Sequence, residues 1–330
     1  MTQRYQTPFS AIVAGIRDLF LKQDRAGSIA LTDRLDGKRV LIDGSSSGLG
    51  FAIAVQLARL GAHIVMAVRS GIPGKGEEVK RMSGNPNVDM LPVDFSDIGS
   101  IYDLVGKVKE RFGQVDIVIS NAAMVSSKAR KTPQGLDQMF MVNYLSKFIY
   151  LNDLLNKDCL RMNGKEVPRI IITASESHRN PKSFAWEEFG VFRDYSMKET
   201  VAHYGYTKLL LVTFVNELSR RLNPDGNLRI AVSSFCPGPV NSNIAREAPA
   251  LFKPFLKFVF RLVFRSPEKA AETAVFLASS SQTGNRPMDY LFLMSRVPMD
   301  EKATDPVNGK KLWEMSSELV NKLGKPEGRK

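Results

Sequence analysis

The sequence predicts a single doubly wound α/β domain on a mainly parallel, seven-stranded sheet, with lid helices over one edge. Three observations carry that prediction. Between Leu41 and Gly50 the chain reads LIDGSSSGLG, an apolar run that ends in a glycine-spaced turn and passes into an apolar-periodic segment (Phe51, Ile53, Ala54, Leu57, Leu60). Short apolar runs and helical patterns then alternate, which implies right-handed βαβ units. The third and fourth runs close on Asp94-Phe95 and Asn121-Ala122-Ala123, at the edge where a parallel sheet collects its ligands.

The chain is long enough for one large α/β domain: 330 residues, 43% hydrophobic and 24% charged. Its net charge of +12 is spread over the chain rather than blocked, and no zinc-finger, homeodomain or aromatic-interleaved pattern accompanies it. The expected partners are therefore anions in general, a phosphorylated cofactor or an anionic membrane surface, and not nucleic acid. Cys159 and Cys236 lie far apart, and His63, His178 and His203 have no metal-ligand spacing. That pattern argues for no metal site, no disulfide framework and a reducing, cytoplasmic location.

Residues Phe9 to Leu21 form an amphipathic helix too short and too charged to span a bilayer, without the cationic start and cleavage site of a secretory signal. It packs on its own domain, on a sister subunit or on a membrane surface. Residues 1–37 make this helix and its connection, 38–295 the catalytic domain with lid segments 176–203 and 243–266, and 296–330 a C-terminal helical extension and tail.

The first strand is Val40 to Ile42. Gly44 permits the tight turn after it, while Gly48 and Gly50 keep β-carbons away where a pyrophosphate and the following helix need close approach. Gly44, Ser46, Ser47, Gly48, Leu49 and Gly50 thus form a candidate phosphate cradle, favoured by the free N–H groups and dipole of the helix. The second strand, Ile64 to Val68, ends at Arg69, where an acid would ordinarily take the ribose hydroxyls. An arginine there can pair with a 2′-phosphate or stand solvated.

Met90 to Val93 and Val115 to Ser120 are the third and fourth strands. Asp94 can accept from an adenine amino group and Asn121 can tie loop backbones together; both are also ordinary turn formers. A long helical pattern, Gly135 to Leu155, holds Asn143 among Phe140, Val142, Leu145 and Phe148, where an amide must be hydrogen-bonded. The fifth strand, Arg169 to Ala174, delivers Ser175 to the ligand edge. Glu176 to His203, with prolines, aromatics and mixed charge, reads as a loop or lid.

The helix that begins near His203 carries Tyr204 and Lys208 four residues apart, on one face. A free tyrosine has a pKa of about 10, so work as a base near neutrality needs a shift of roughly 2 to 3 units, which a nearby ammonium supplies. The sixth strand is Arg229 to Phe235. Between Ala250 and Ser266, Lys253, Lys257, Arg261 and Arg265 recur every four residues as one cationic stripe opposite Leu251, Phe255, Leu256, Val259 and Leu262. This segment is a lid helix with solvated cations, an interfacial helix on anionic lipid, or both. A helix over Pro267 to Ser279, a last strand over Asp289 to Met294 and a helix around Leu312 to Leu323 complete the chain.

With the glycine turn, Asn121-Ala122-Ala123, Asn143, Ser175 and Tyr204-Gly-Tyr-Thr-Lys208 in this order, residues 38–278 resemble the short-chain dehydrogenase/reductase family. The resemblance implies a Rossmann-type domain. It further implies that Tyr204 is the acid/base, that Ser175 holds the substrate oxygen, that Lys208 lowers the Tyr204 pKa and binds the nicotinamide ribose, and that Asn143 anchors a relay water. Cys236-Pro237-Gly238-Pro239-Val240-Asn241-Ser242 is similar to the family's loop over the nicotinamide, which adds Pro237, Gly238, Val240 and Ser242 to the cofactor contacts. Asp43 stands where the family usually has threonine, placing a carboxylate near the phosphate loop. It should weaken phosphate affinity unless backbone N–H groups hold it away.

Val68-Arg69, Val142-Asn143-Tyr144-Leu145, the long gap before Tyr204 and the ending Lys311-Leu312-Trp313-Glu314 to Leu319-Val320 resemble the retinol dehydrogenase and protochlorophyllide reductase branch. That implies NADP(H), a lipophilic substrate such as a retinoid, steroid or long-chain aldehyde, and alcohol–carbonyl interconversion by direct hydride transfer. Two alternatives stand beside it: reduction of a carbon–carbon double bond in a tetrapyrrole-like pigment, and a non-catalytic NADP-binding sensor or scaffold. Peripheral membrane contact through 9–21 and 250–265 and a homo-oligomer joined through the apolar helices 135–155 and 204–222 are further expectations.

Overall fold

The computed structural model describes residues 24–162, 166–240 and 265–324. In chain order the elements are β1 (Arg39–Asp43), α1 (Gly48–Arg59), β2 (His63–Val68), α2 (Gly74–Ser83), β3 (Val88–Pro92), α3 (Ile98–Phe112) and β4 (Ile117–Ser120). A helical turn Gln138–Phe140, a π-helical turn Met141–Leu145 and α4 (Ser146–Asn156) follow without a break. Then come β5 (Arg169–Thr173), α5 (Thr200–Leu222), β6 (Ala231–Cys236), α6 (Pro267–Ser279), β7 (Met288–Phe292), β8 (Ser295–Arg296), α7 (Glu301–Thr304) and α8 (Pro306–Leu323).

The strands form one sheet in the order β3-β2-β1-β4-β5-β6-β7-β8. All neighbours are parallel except β7 and β8. The expected seven parallel strands are therefore joined by an eighth. β8 is two residues long and pairs antiparallel through Leu291↔Arg296 and Phe292↔Ser295, too short to carry a period-2 pattern in sequence.

Both faces of the sheet are covered, and the strand alternation divides their side chains. Val40, Ile42, Ile64, Met66 and Val68 pack with α1 and α6; Leu41, Val65, Ala67 and Leu91 pack with α3, α4 and α5. Runs of Val and Ile buried on both faces are what a parallel sheet demands. The chain order reverses between β1 and β4, so their carboxyl ends open the crevice in which doubly wound sheets bind ligands.

The C-terminal helix α8 lies on α5. Trp313 meets Phe148 edge-on, with ring centroids 5.1 Å apart, and the Arg221 guanidinium stacks 4.2 Å from the Trp313 ring centre. Tyr144 and Ser316 are hydrogen-bonded beneath. The apolar surface of 135–155 and 204–222, expected to meet a sister subunit, is thus partly covered by the chain's own ending.

The stretch expected as a lid, 176–203, is anchored by aromatics. Phe184 stacks on Trp186 at 4.3 Å, Phe189 packs edge-on against Phe140 at 5.3 Å, and the Tyr206 hydroxyl donates to the Ala185 carbonyl. The amphipathic helix expected over 9–21 and most of the segment 243–266 lie outside the described residues. Among the described helices none is long and apolar enough to cross a membrane.

Candidate active site

The glycine turn adopts the geometry its spacing predicts. Gly44 has φ +63°, and a Cβ there would stand 2.7 Å from the Ala122 backbone. A Cβ on Gly50 would meet the Gly44 carbonyl oxygen at 2.4 Å and Asn121 Nδ2 at 2.6 Å, so this glycine lets helix α1 close on the strand edge. Gly48, φ +57°, faces open space instead, with nothing within 4 Å of its Cβ position. The N-terminus of α1 has no side-chain cap and no acid in its first turn. Helices α3, α6, α7 and α8 are capped, by Asp97, Ser266, Asp300 and Asp305, whereas α2 and α5, like α1, have no side-chain cap; of these α1 is the one that starts on the glycine loop at the sheet edge. Uncapped N–H groups over an open glycine make α1 a fit for a pyrophosphate.

Asp43 answers the question its position raised. It is fully buried and turned away from the phosphate side: Oδ1 accepts from the Asn121 N–H at 2.8 Å and from the Ala122 N–H, and Oδ2 accepts from Ser120 Oγ at 2.8 Å. Lys147, on α4, places its ammonium 3.5 Å from Oδ1. Backbone N–H groups do hold the carboxylate away, and a lysine that sequence reasoning missed balances it.

Asn121 ties loops together: Nδ2 donates to the Gly44 carbonyl at 3.2 Å and Oδ1 accepts from Thr173 Oγ1 at 3.2 Å. Asp94 Oδ1 accepts from the Ser96 N–H and hydroxyl. Phe95 turns its ring into the core, edge-on to Tyr150 at 5.6 Å, which leaves only its backbone toward the crevice. Ala123 is exposed beside the half-buried Ala122. Ser46 and Leu49 are half-buried, and Ser47 and Arg69 are exposed. Sequence reasoning passed over Lys75, which packs against Gly71 on the Arg69 side of the loop and holds its ammonium 5.2 Å from the Phe51 ring centre. The signal for it was a second cation six residues beyond Arg69.

Asn143 sits at the centre of the π-helical turn, an insertion frequent at functional sites. Its amide is committed: Oδ1 accepts from the Met124 N–H at 2.8 Å, and Nδ2 donates to the Met124 carbonyl at 2.9 Å and to Thr207 Oγ1 at 3.2 Å. With both Nδ2 hydrogens used, a relay water anchored at this residue would have to donate, either to the second lone pair of Oδ1 or to a backbone carbonyl.

Ser175 follows β5 and caps a short 3₁₀ turn, Glu176–Arg179, by accepting from the Ser177 N–H. Burial holds the Tyr204 phenol up at about 12, against the lowering expected from Lys208, and only the Ser175 hydroxyl beside it pulls the other way. Lys208 is buried, donates to the Thr173 carbonyl at 3.3 Å, and lies 5.7 Å from the centre of the Tyr204 ring. Burial, and then the Lys147 charge, lower its pKa from 10.5 to about 8. Cys236, behind this group, is pushed up to about 12 by burial and is no thiolate.

Pro237, Gly238 and Val240 continue from β6. Gly238 has φ +72°, and a Cβ there would meet Leu293 Cδ2 at 2.6 Å. Val240 pairs with Arg265, whose guanidinium donates to the carbonyls of Pro237 and Lys269. This end of the expected cationic stripe is thereby turned inward, onto the loop. Ser242 lies outside the described residues.

A Rossmann-type crevice lies beside half-buried Ser175 and Tyr204 and buried Lys208, an arrangement suited to an oxidoreductase, and comparison with known proteins gives that class. A family model described as short chain dehydrogenase matches residues 38–186. Retinol dehydrogenase 13 from Homo sapiens is 28% identical over 96% of this chain and 95% of its own length. Retinol dehydrogenase 14 from the same organism is 26% identical, over 88% of each chain. The WW domain-containing oxidoreductase of Gallus gallus is 30% identical over 87% of this chain and 69% of its length. Among solved structures, the RhlG/NADP active-site complex of Pseudomonas aeruginosa superposes with a TM-score of 0.61 at 21% identity, over 80% of this chain and 97% of that one.

The protein belongs to the short-chain dehydrogenase/reductase family of oxidoreductases. Within it, the chain matches the retinol dehydrogenase-like branch.

Proposed function

We propose that the protein is an NADP(H)-dependent enzyme that interconverts an alcohol and a carbonyl on a lipophilic substrate of retinoid, steroid or long-chain aldehyde type. The observation that carries this reading is the convergence of Ser175, Tyr204 and Lys208 on the sheet edge that also holds the uncapped glycine loop. Similarity to proteins named for retinol and polyprenol, both long apolar alcohols, supports the substrate class.

In this reading the α1 N-terminus and Gly48 take the pyrophosphate, Arg69 with Lys75 the 2′-phosphate, Lys208 the nicotinamide ribose, and the Pro237–Val240 loop the nicotinamide. The bound cofactor supplies the hydride; the chain's part is positioning and proton handling. Ser175 holds the substrate oxygen by its hydroxyl. Tyr204, whose phenol stays protonated at neutral pH, donates its proton to that oxygen as charge develops in reduction. In oxidation the phenolate is required, and the Lys208 ammonium is the cation placed to favour it. Contact with a membrane through 9–21 and 250–265 remains part of the proposal, carried by the amphipathic pattern of those segments.

The test is NADPH oxidation against a panel of retinal, steroid ketones and long-chain aldehydes, with Tyr204→Phe as the control. The variant should lose about 10²- to 10⁴-fold in turnover and keep its NADPH binding. An unchanged rate in Tyr204→Phe removes the mechanism, and NADPH binding without turnover of any lipophilic carbonyl favours a sensor.

A further inference from the structure

A carboxylate and an ammonium are buried together under the glycine loop. Asp43 is 0% and Lys147 2% exposed, and they stand 3.5 Å apart. Beyond the ion pair, Lys147 Nζ has no hydrogen-bond partner of ordinary geometry among the described residues; it rests 4.1 Å from the centre of the Phe95 ring. Burying two charges this way adds little stability compared with apolar side chains, because desolvation cancels much of the attraction. A stability argument therefore does not account for the pair.

Its connections do. Asp43 gathers Ser120, Asn121 and Ala122 at the end of β4 onto the end of β1. A threonine hydroxyl in the same place offers at most two acceptor positions, against about four on a carboxylate. Asn121 then reaches the Gly44 carbonyl and Thr173 Oγ1, and the Thr173 carbonyl receives Lys208. Lys147 lies one turn beyond Asn143 on the same helical segment, and Phe95 brings in the loop after β3.

We propose that the Asp43–Lys147 ion pair is a positioning element of the active site, holding the glycine loop, the Asn121-Ala122 turn and, through Thr173, Lys208 in one register. The inference rests on the proposed function for what those parts do. Its electrostatic consequence falls on Lys208, which is faced by Lys147 from α4, Asp43 from β1, Cys236 from β6 and Tyr204 of its own helix. Of these, Lys147 is the charge that works most strongly against the Lys208 proton, and Asp43 works for it. Asp43 also faces Tyr150.

The experiment compares Lys147→Met, Lys147→Arg and the double variant Asp43→Asn with Lys147→Met, which leaves no lone buried charge. The pH profile of carbonyl reduction and amide hydrogen exchange at Asn121 and Ala122 are measured for each. Lys147→Met should lower kcat roughly tenfold or more with a smaller change in KM. It should also move the alkaline limb, which follows Lys208, upward by about 1 pH unit. The double variant should move the limb the same way by less, since it also removes the attraction of Asp43. Lys147→Arg should keep the wild-type limb, and exchange at Asn121 and Ala122 should quicken only where the pair is broken.

An alkaline limb that stays at its wild-type position in both Met variants, with unchanged exchange, overturns the inference. So does an Arg variant that matches the Met variant. A wild-type protein that turns over no carbonyl would count against the proposed function instead, while the exchange data would still decide whether the pair holds the loops.

Discussion

The Lys208 ammonium lies 5.7 Å from the centre of the Tyr204 ring, and burial pushes both groups toward their neutral forms. The phenol is held up at about 12 and the amine down at about 8. Such a pair carries a folding cost, and this can be measured.

Replacing Lys208 by Met should stabilise the fold while removing activity. The lysine pKa falls from 10.5 to about 8 on folding, so protonation disfavours the native state at any pH below 8. At pH 7 the variant should gain about 3 kcal/mol, less the lost hydrogen bond to Thr173. The gain should shrink as pH rises from 8 to 10.5, because the native lysine is then already neutral. Urea denaturation at pH 7 and pH 10 checks the sign; a Met variant less stable at pH 7 than at pH 10, relative to wild type, contradicts it.

Gly48→Ala and Gly50→Ala should fail in different ways. Gly48 has open space around its Cβ position, so alanine there costs about 1 kcal/mol of left-handed backbone strain and blocks the cradle. Gly50→Ala drives a methyl into the Gly44 carbonyl and Asn121. Thermal unfolding should therefore separate the two, with Gly50→Ala much the less stable, while calorimetry finds NADPH binding weakened in both.

Arg69→Asp should invert cofactor preference. Losing a charge-assisted bond to the 2′-phosphate costs roughly 1.5 to 3 kcal/mol, or about ten- to a hundredfold in NADP affinity, and the new acid suits the free ribose hydroxyls of NAD. Competitive titration of the two cofactors reads it, and an unchanged NADP preference refutes the assignment of Arg69.

Leu312→Ala tests the covering of α5 by α8. Leu312 is 1% exposed within the core that includes Phe214 and Phe148, so truncation should cost about 2 to 5 kcal/mol. A loss under 1 kcal/mol by denaturant titration would mean that α8 is loosely held.

The strands were legible because a parallel sheet buried on both faces must be written in Val and Ile, as in Arg39–Asp43 and Arg169–Thr173. Helix α6 begins and ends where its Pro267 and amphipathic period place it. Spacing also placed Gly44, Gly50, Asn121 and Ser175 at or just after strand ends and Tyr204 with Lys208 on one helix face, while the roles of these residues and of Asn143 are what the family resemblance implies. Neither β8 nor the aromatic anchoring of 184–189 was legible, the first for its length and the second because Phe189 finds its edge-on partner Phe140 far back in the chain, while the local Phe184–Trp186 stack carries no period in sequence.

By itself the sequence determined the sheet, the glycine cradle and the residue types at its edge, because these follow from local period and spacing. The tertiary structure decided what Asp43 does. Its partners Ser120, Asn121, Ala122 and Lys147 are 77 or more positions away along the chain, and only the parallel pairing of β1 with β4 and the packing of α4 beneath them bring those groups around one carboxylate. It likewise decided that the apolar faces of α4 and α5 meet the chain's own α8, since an amphipathic stripe states that it must be covered but not by what.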